Sequence, residues 1–87
     1  PQELHNAASQ FNQKADELRD IIAFMRQQVG TLDGSWEGAA KIQYFSNFEE
    51  MAKILDQIPD GTDGIASTLT AIAESIVEMD EVMASKL

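Results

Sequence analysis

Asp33-Gly34-Ser35-Trp36-Glu37-Gly38 interrupts two long stretches whose apolar residues recur at alternating spacings of three and four. Before it the stripe is Leu4, Ala8, Phe11, Ala15, Leu18, Ile22, Met25, Val29 and Leu32. After it come Tyr44, Phe48, Met51, Leu55, Ile58, Thr62, Ile65, Leu69, Ile72, Ile76, Met79 and Met83. Steps of three and four keep a stripe on one face of a helix at about 3.5 residues per turn. The spacing therefore predicts a helix over about residues 2–32, a turn over 33–38 and a second helix over about 39–86. The short connection makes the two helices antiparallel neighbours. The fold class is all-α, a single helical-hairpin domain spanning 1–87.

Local signals support these limits. Pro1-Gln2-Glu3 opens a helix well, because proline suits the first turn and an acid there favours the dipole. Gly34 is a natural helix-ending residue in the left-handed conformation, and Ser35 is placed to cap the second helix. Pro59-Asp60-Gly61 argues the other way. Read locally, it is a turn that would divide the second helix and give three. The apolar register runs through it unbroken, from Leu55 through Ile58 and Thr62 to Ile65. Register predicts one long second helix, kinked or frayed at 58–64.

Eighty-seven residues form one small domain, and a chain of this size buries only about 60% of its unfolded surface. No cysteine is present to supply a disulfide. Ile21 and Phe24, and Phe45 and Ile54, lie off the two stripes, and a lone hairpin would leave them wet. Ala52, Ala66 and Ala73 form a row of small residues beside the second stripe, where another helix could approach. Two hairpins packed as a four-helix bundle would cover these flanks. Phe11, Leu18, Ile22, Phe48, Leu55, Leu69 and Ile72 are the expected core and dimer residues.

Composition excludes most chemistry. Six basic residues face fifteen acidic ones, for a formal net charge of −9, which disfavours nucleic acid and anionic membrane surfaces. No apolar run is long enough to span a bilayer, so no stable membrane insertion is expected. The first residues show no charged-then-apolar leader with a cleavage site. The single histidine, His5, has no other His or Cys to complete a zinc site. Asp60-Gly61-Thr62-Asp63-Gly64 lacks the ligand order and closing Glu of a calcium loop. No catalytic, cofactor-binding or metal site is expected, and the protein is not expected to be an enzyme. Trp36 reads either as a cap on the hydrophobic core or as a ring presented to a partner at the end of the bundle. Substitutions at Trp36 and Gly38 are expected to cost less folding energy than substitutions on the stripes.

At Trp36-Glu37-Gly38 the chain resembles the WXG-motif, ESAT-six-like proteins, substrates of type VII (ESX or Ess) secretion in Gram-positive bacteria and mycobacteria. The likeness covers the Pro-x-Glu-Leu opening at Pro1 to Leu4, both helices, the Trp-Glu-Gly-Ala turn and the acidic C-terminal segment. It implies a hairpin that dimerises into an antiparallel four-helix bundle, either with itself or with a sister WXG protein. It also implies export without a cleaved signal peptide, to the medium or the cell surface. The family's export signal is an aromatic residue, three arbitrary residues, then an acid. The matching positions here are Ile76 and Asp80, with isoleucine in place of the ring. The resemblance places Trp36 and Gly38 of one protomer near the C-terminal signal of the other, forming a two-part surface for the export ATPase. Its alternative role is that of an adaptor that binds the helical domain of a larger secreted toxin and promotes its export.

Overall fold

The computed structural model describes residues 1–86; Leu87, which closes the expected 1–87 domain, lies outside them. Helix α1 spans Gln2–Gly30, a single 3-10 turn spans Asp33–Ser35, and helix α2 spans Ala39–Ser85. The two helices lie against each other as a hairpin. Its Cα positions extend 76 × 17 × 10 Å, a rod two helices wide and one helix thick. At 1.5 Å per residue α1 is about 44 Å long and α2 about 70 Å, so α2 outruns its neighbour.

The connection differs from the expected one. Thr31 closes α1 in a right-handed conformation, its N–H donating to the carbonyls of Gln27 and Gln28 at 3.2 Å. Its hydroxyl donates to the Gln28 carbonyl at 2.6 Å. Gly34 sits inside the 3-10 turn, and Gly38 is the one residue with positive φ among those described. Gly38, not Ser35, occupies the N-cap of α2, and no side chain caps that end. The polar side chain of Thr31 completes the turn that Gly34 was expected to make.

α2 is helical through Pro59, which is buried in the interior of the helix. Proline has no N–H to offer the carbonyl one turn back, so the helix loses one bond there. The Thr62 hydroxyl donates to the Ile58 carbonyl at 2.8 Å, adding a bond at the same turn. Burial explains why a proline is tolerated: its small ring fits where α1 comes close.

The seam between the helices corrects the expected one in α2. On α1 Ala8, Ala15 and Ile22 are buried and Leu4, Leu18, Met25 and Val29 half-buried, as expected. Phe11 and Leu32 of the expected stripe are exposed, since Phe11 is too large for the close approach at Ala8 and Ala15 and Leu32 lies beyond the end of the helix. On α2 the buried residues are Ala52, Pro59, Ala66 and Ala73, with Phe45, Phe48, Leu55, Thr62 and Leu69 half-buried. The alanine row is the seam itself. Phe45, expected on a wet flank, belongs to it. Met51, Ile58, Ile65 and Ile72 are displaced to its edge and remain exposed. Both stripes have the heptad period and share Phe48, Leu55, Thr62, Leu69 and Ile76, so spacing alone does not separate them. Small residues decide the contact: alanines facing alanines let two helices approach toward the short end of the 8–10 Å range.

Ion pairs set the register along one side of the seam. Arg26 forms a fork with Asp56, at 2.9 and 2.7 Å. Arg19 donates to Asp60 at 3.0 Å and Asp63 at 2.6 Å, and to Asp16 on its own helix at 3.2 Å. On the opposite side, among the described residues, no ion pair joins the two helices; Lys14 and Glu17 pair there within α1 at 3.0 Å. Ile21 of α1 and the Met51, Ile58, Ile65 and Ile72 stripe of α2 lie there, all exposed. The hairpin thus has one ion-paired face and one apolar face.

Candidate functional site

The tip of the hairpin is built around Trp36. Its backbone is extended, with φ −158° and ψ 165°, so the chain leaves the 3-10 turn and doubles back toward α2. The indole lands on the first turns of that helix. It stands edge-on to Tyr44 at 5.6 Å between ring centroids and tilted over Phe45 at 6.5 Å. Tyr44 and Phe45 are themselves perpendicular at 5.9 Å. Aromatic pairs at such distances favour edge-to-face arrangements, because the electron-poor edge meets the electron-rich face. The ring is half-buried, and its Nε1–H is buried without a hydrogen-bond partner. A buried donor left unsatisfied costs about 1–3 kcal/mol.

Gly38 makes this path possible. Its φ of 109° and ψ of −171° fall in a region that side-chain-bearing residues avoid. A Cβ built there would meet nothing within 4 Å, so the requirement for glycine is conformational and not steric. Any side chain placed at this residue therefore meets a backbone cost. Lys41 ties the connection down, with Asp33 at 3.1 Å and Glu37 at 3.7 Å. Donating a hydrogen bond to the Asp33 carboxylate raises the pKa of the Lys41 ammonium above its ordinary value, and Glu37 adds to the effect. Leu32, Ser35, Trp36 and Tyr44 border an open cleft of about 310 Å³ beside the indole.

Sequence reasoning identified Trp36, Glu37 and Gly38 but not the Tyr44–Phe45 platform or the Lys41 tie. The four-residue spacing of Glu37 and Lys41 was the available signal for the latter. Ile76 and Asp80 lie far from this group. Both are exposed on the last turns of α2, in a segment where every residue from Glu74 to Lys86 is exposed. From the start of α2 to Asp80 is about 60 Å along the helix. Within one hairpin the tip and the C-terminal segment cannot form one surface. That segment carries Glu74, Glu78, Asp80 and Glu81 among Val77, Met79, Val82 and Met83, an acidic amphipathic end.

Toward the tip end of the apolar face, Met25, Phe48, Met51, Ile54 and Leu55 surround a hollow of about 400 Å³ with no polar residue in its lining. Among the described residues no group of three or more His, Cys, Asp or Glu side chains could hold a metal ion, and no helix is long and apolar enough to cross a membrane. His5 is exposed on α1. What the molecule offers is surface: an aromatic tip, an apolar face and an acidic end.

These features agree with known proteins. The chain is 21% identical over 81 residues to the type VII secretion system extracellular protein A of Staphylococcus aureus strain USA300, covering 93% of this chain and 84% of that one. The same protein from strain Newman matches identically. The hairpin superposes on the crystal structure of Geobacillus thermodenitrificans EsxA with a TM-score of 0.77 and 26% identity, over 99% of this chain and 96% of the other. The model of the WXG100 family, described as proteins of 100 residues with WXG, matches residues 1–81. With Trp36-Glu37-Gly38 at the turn between two long helices, the chain belongs to the WXG100 family.

Proposed function

We propose that this chain is a small substrate of a type VII secretion system, exported as a folded dimeric helical bundle and recognised through the Trp36 turn together with the C-terminal segment. One observation carries the reading: the family's two conspicuous elements stand at opposite ends of a 76 Å rod whose side bears a continuous apolar face. An antiparallel pair of hairpins covers that face and sets the tip of each chain beside the Ile76–Asp80 segment of the other. The unpartnered Trp36 N–H and the cleft beside it suit a tip that is completed by a neighbour. The acids at positions 78, 80 and 81 can supply acceptors. In this arrangement the dimer itself is the export signal, read by the export ATPase, and the destination is the medium or the cell surface.

The test compares supernatant-to-cell ratios for wild type, Trp36→Ala, Asp80→Ala and Ile76→Tyr, alongside helicity and mass of each purified protein. Trp36→Ala and Asp80→Ala are expected to remain folded dimers and to lose secretion. Ile76→Tyr restores the aromatic position of the family signal and is expected to raise export. Normal secretion of the first two variants, or failure only because they unfold, would return both residues to structural roles. Export that depends on co-expression of a larger helical toxin would favour the adaptor role instead.

A further inference from the structure

The middle of α2 is its weakest stretch. Pro59 leaves the carbonyl one turn back without its helical partner, and Gly61 and Gly64 follow within five residues. Glycine is a poor helix former. A Cβ at either glycine would meet nothing within 4 Å, so neither is there to make room for α1. The Thr62 and Thr68 hydroxyls donate to the Ile58 and Gly64 carbonyls, at 2.8 and 3.0 Å. Bonds of this kind often bend helices. By contrast α1 carries no Gly or Pro from Gln2 to Val29 and forms a continuous brace.

The two halves of the seam are held unequally. Toward the tip Ile22 is buried, with Met25, Phe45, Phe48 and Leu55 half-buried beside it. Beyond residue 64 the buried contacts are alanines, Ala66 and Ala73 of α2 with Ala8 and Ala15 of α1. Burial stabilises in proportion to apolar area, so the alanine half is the weaker one. Among the described residues, every ion pair joining α1 to α2 ends on Asp56, Asp60 or Asp63, all within four residues of Pro59. The Arg19 guanidinium takes two of these acids at once, Asp60 at 3.0 Å and Asp63 at 2.6 Å, and so spans the turn that holds Gly61.

We propose that residues 58–64 are a hinge in α2 and that Arg19 is its latch. With the guanidinium on Asp60 and Asp63, the distal limb, residues 65–85, lies along α1. Without it the limb swings away from α1 while the tip half of the hairpin keeps its packing. Arg19 is 41% exposed and Asp60 75%, so the latch is open to solvent ions and weakens as ionic strength rises. The limb that moves carries Ile76 and Asp80, and the latch therefore governs how that segment is presented. The hinge stands whether or not the chain is exported.

Hydrogen exchange of the full chain, read by mass spectrometry at one fixed concentration, tests this segment by segment. Arg19→Gln is expected to speed exchange in residues 60–85, and in residues 4–15 that the limb covers, by roughly threefold to tenfold, as for the loss of more than one exposed ion pair. Residues 22–29 and 45–55 are expected to stay at the wild-type rate. Raising NaCl to about 1 M, where the screening length falls to about 3 Å, is expected to give the wild type the same pattern and to leave Arg19→Gln unchanged. In a Pro59→Ala background, with the helix mended, Arg19→Gln is expected to have less effect on the distal limb. An equal rise in both halves, or no change in either, overturns the latch. An undiminished effect in Pro59→Ala overturns the hinge. Should Arg19→Gln fail to fold, the salt response of the wild type decides, and a uniform or absent response overturns the proposal.

Discussion

Replacing Gly38 by alanine should destabilise the protein through the backbone alone. The residue holds φ 109° and ψ −171°, in a region of backbone space open essentially only to glycine. Residues forced into such regions cost about 1–3 kcal/mol each. Normally part of a glycine-to-alanine effect comes from collision of the new methyl group, but no atom lies within 4 Å of a Cβ at this position. Alanine at a compatible site would instead stabilise by about 0.4–1 kcal/mol, by restricting the unfolded chain. Strain opposes this gain, leaving a net loss of about 1–2 kcal/mol per chain. Because the space is open, Gly38→Ala, Gly38→Ser and Gly38→Arg should cost nearly the same. Urea unfolding followed by circular dichroism, at one fixed chain concentration, measures the series. A neutral Gly38→Ala would refute the conformational account of this glycine. A cost that climbs steeply from alanine to arginine would show that bulk, not backbone, is what the tip excludes.

Pro59→Ala restores an N–H to the middle of α2 and should recover part of the roughly 3 kcal/mol that an interior proline costs. Losing two buried methylenes returns about 1.6 kcal/mol of that, so a net gain of about 1 kcal/mol is expected in the same urea assay, and a loss would mean that the seam depends on the ring. Ile72→Asp removes a large side chain from the apolar face of both copies, forfeiting about 1.5–3 kcal/mol per chain, and should shift sedimentation toward monomer. Val77→Asp, on the ion-paired side, should not; equal effects would contradict the assignment of faces. The Arg26 fork lowers the Asp56 carboxyl below its ordinary 3.8, so its contribution is present above that pH and is lost as pH falls through the depressed value. Melting temperature should therefore drop below about pH 4 more steeply in wild type than in Asp56→Asn; identical profiles would remove the pair from the stability of the hairpin.

The hairpin was legible because period, turn and length all agreed: two three-four stripes, a six-residue interruption and no cysteine or metal motif to redirect the chain. The contact face of α2 was not legible. Each heptad there carries three apolar positions, as at Tyr44, Phe45 and Phe48 or Met51, Ala52 and Leu55, and a four-helix bundle uses all three. Hydrophobicity ranks Met51 and Ile58 above Ala52 and Pro59, so reading by size assigns the larger stripe to the inside of the hairpin. Packing distance reverses that order, because Ala8 and Ala15 on α1 admit a close neighbour only if it too is small. The cap at Gly38 was missed for a related reason. Gly34, Ser35 and Gly38 all suit a helix boundary by residue type, and only the path of Trp36 toward Tyr44 and Phe45 determines which glycine must take positive φ. The separation of the tip from Ile76 and Asp80 follows from α2 running unbroken through Pro59, the point at which local turn signals and register disagreed.

The central claim, export as a folded dimer through a type VII system, is tested most directly by the supernatant-to-cell ratio of the wild-type chain in a Gram-positive host with and without its type VII export ATPase. The account predicts that the protein accumulates outside the cell only when the ATPase is intact, and that the secreted material is dimeric. An equal ratio in the two hosts, with cytoplasmic markers retained inside, would contradict it.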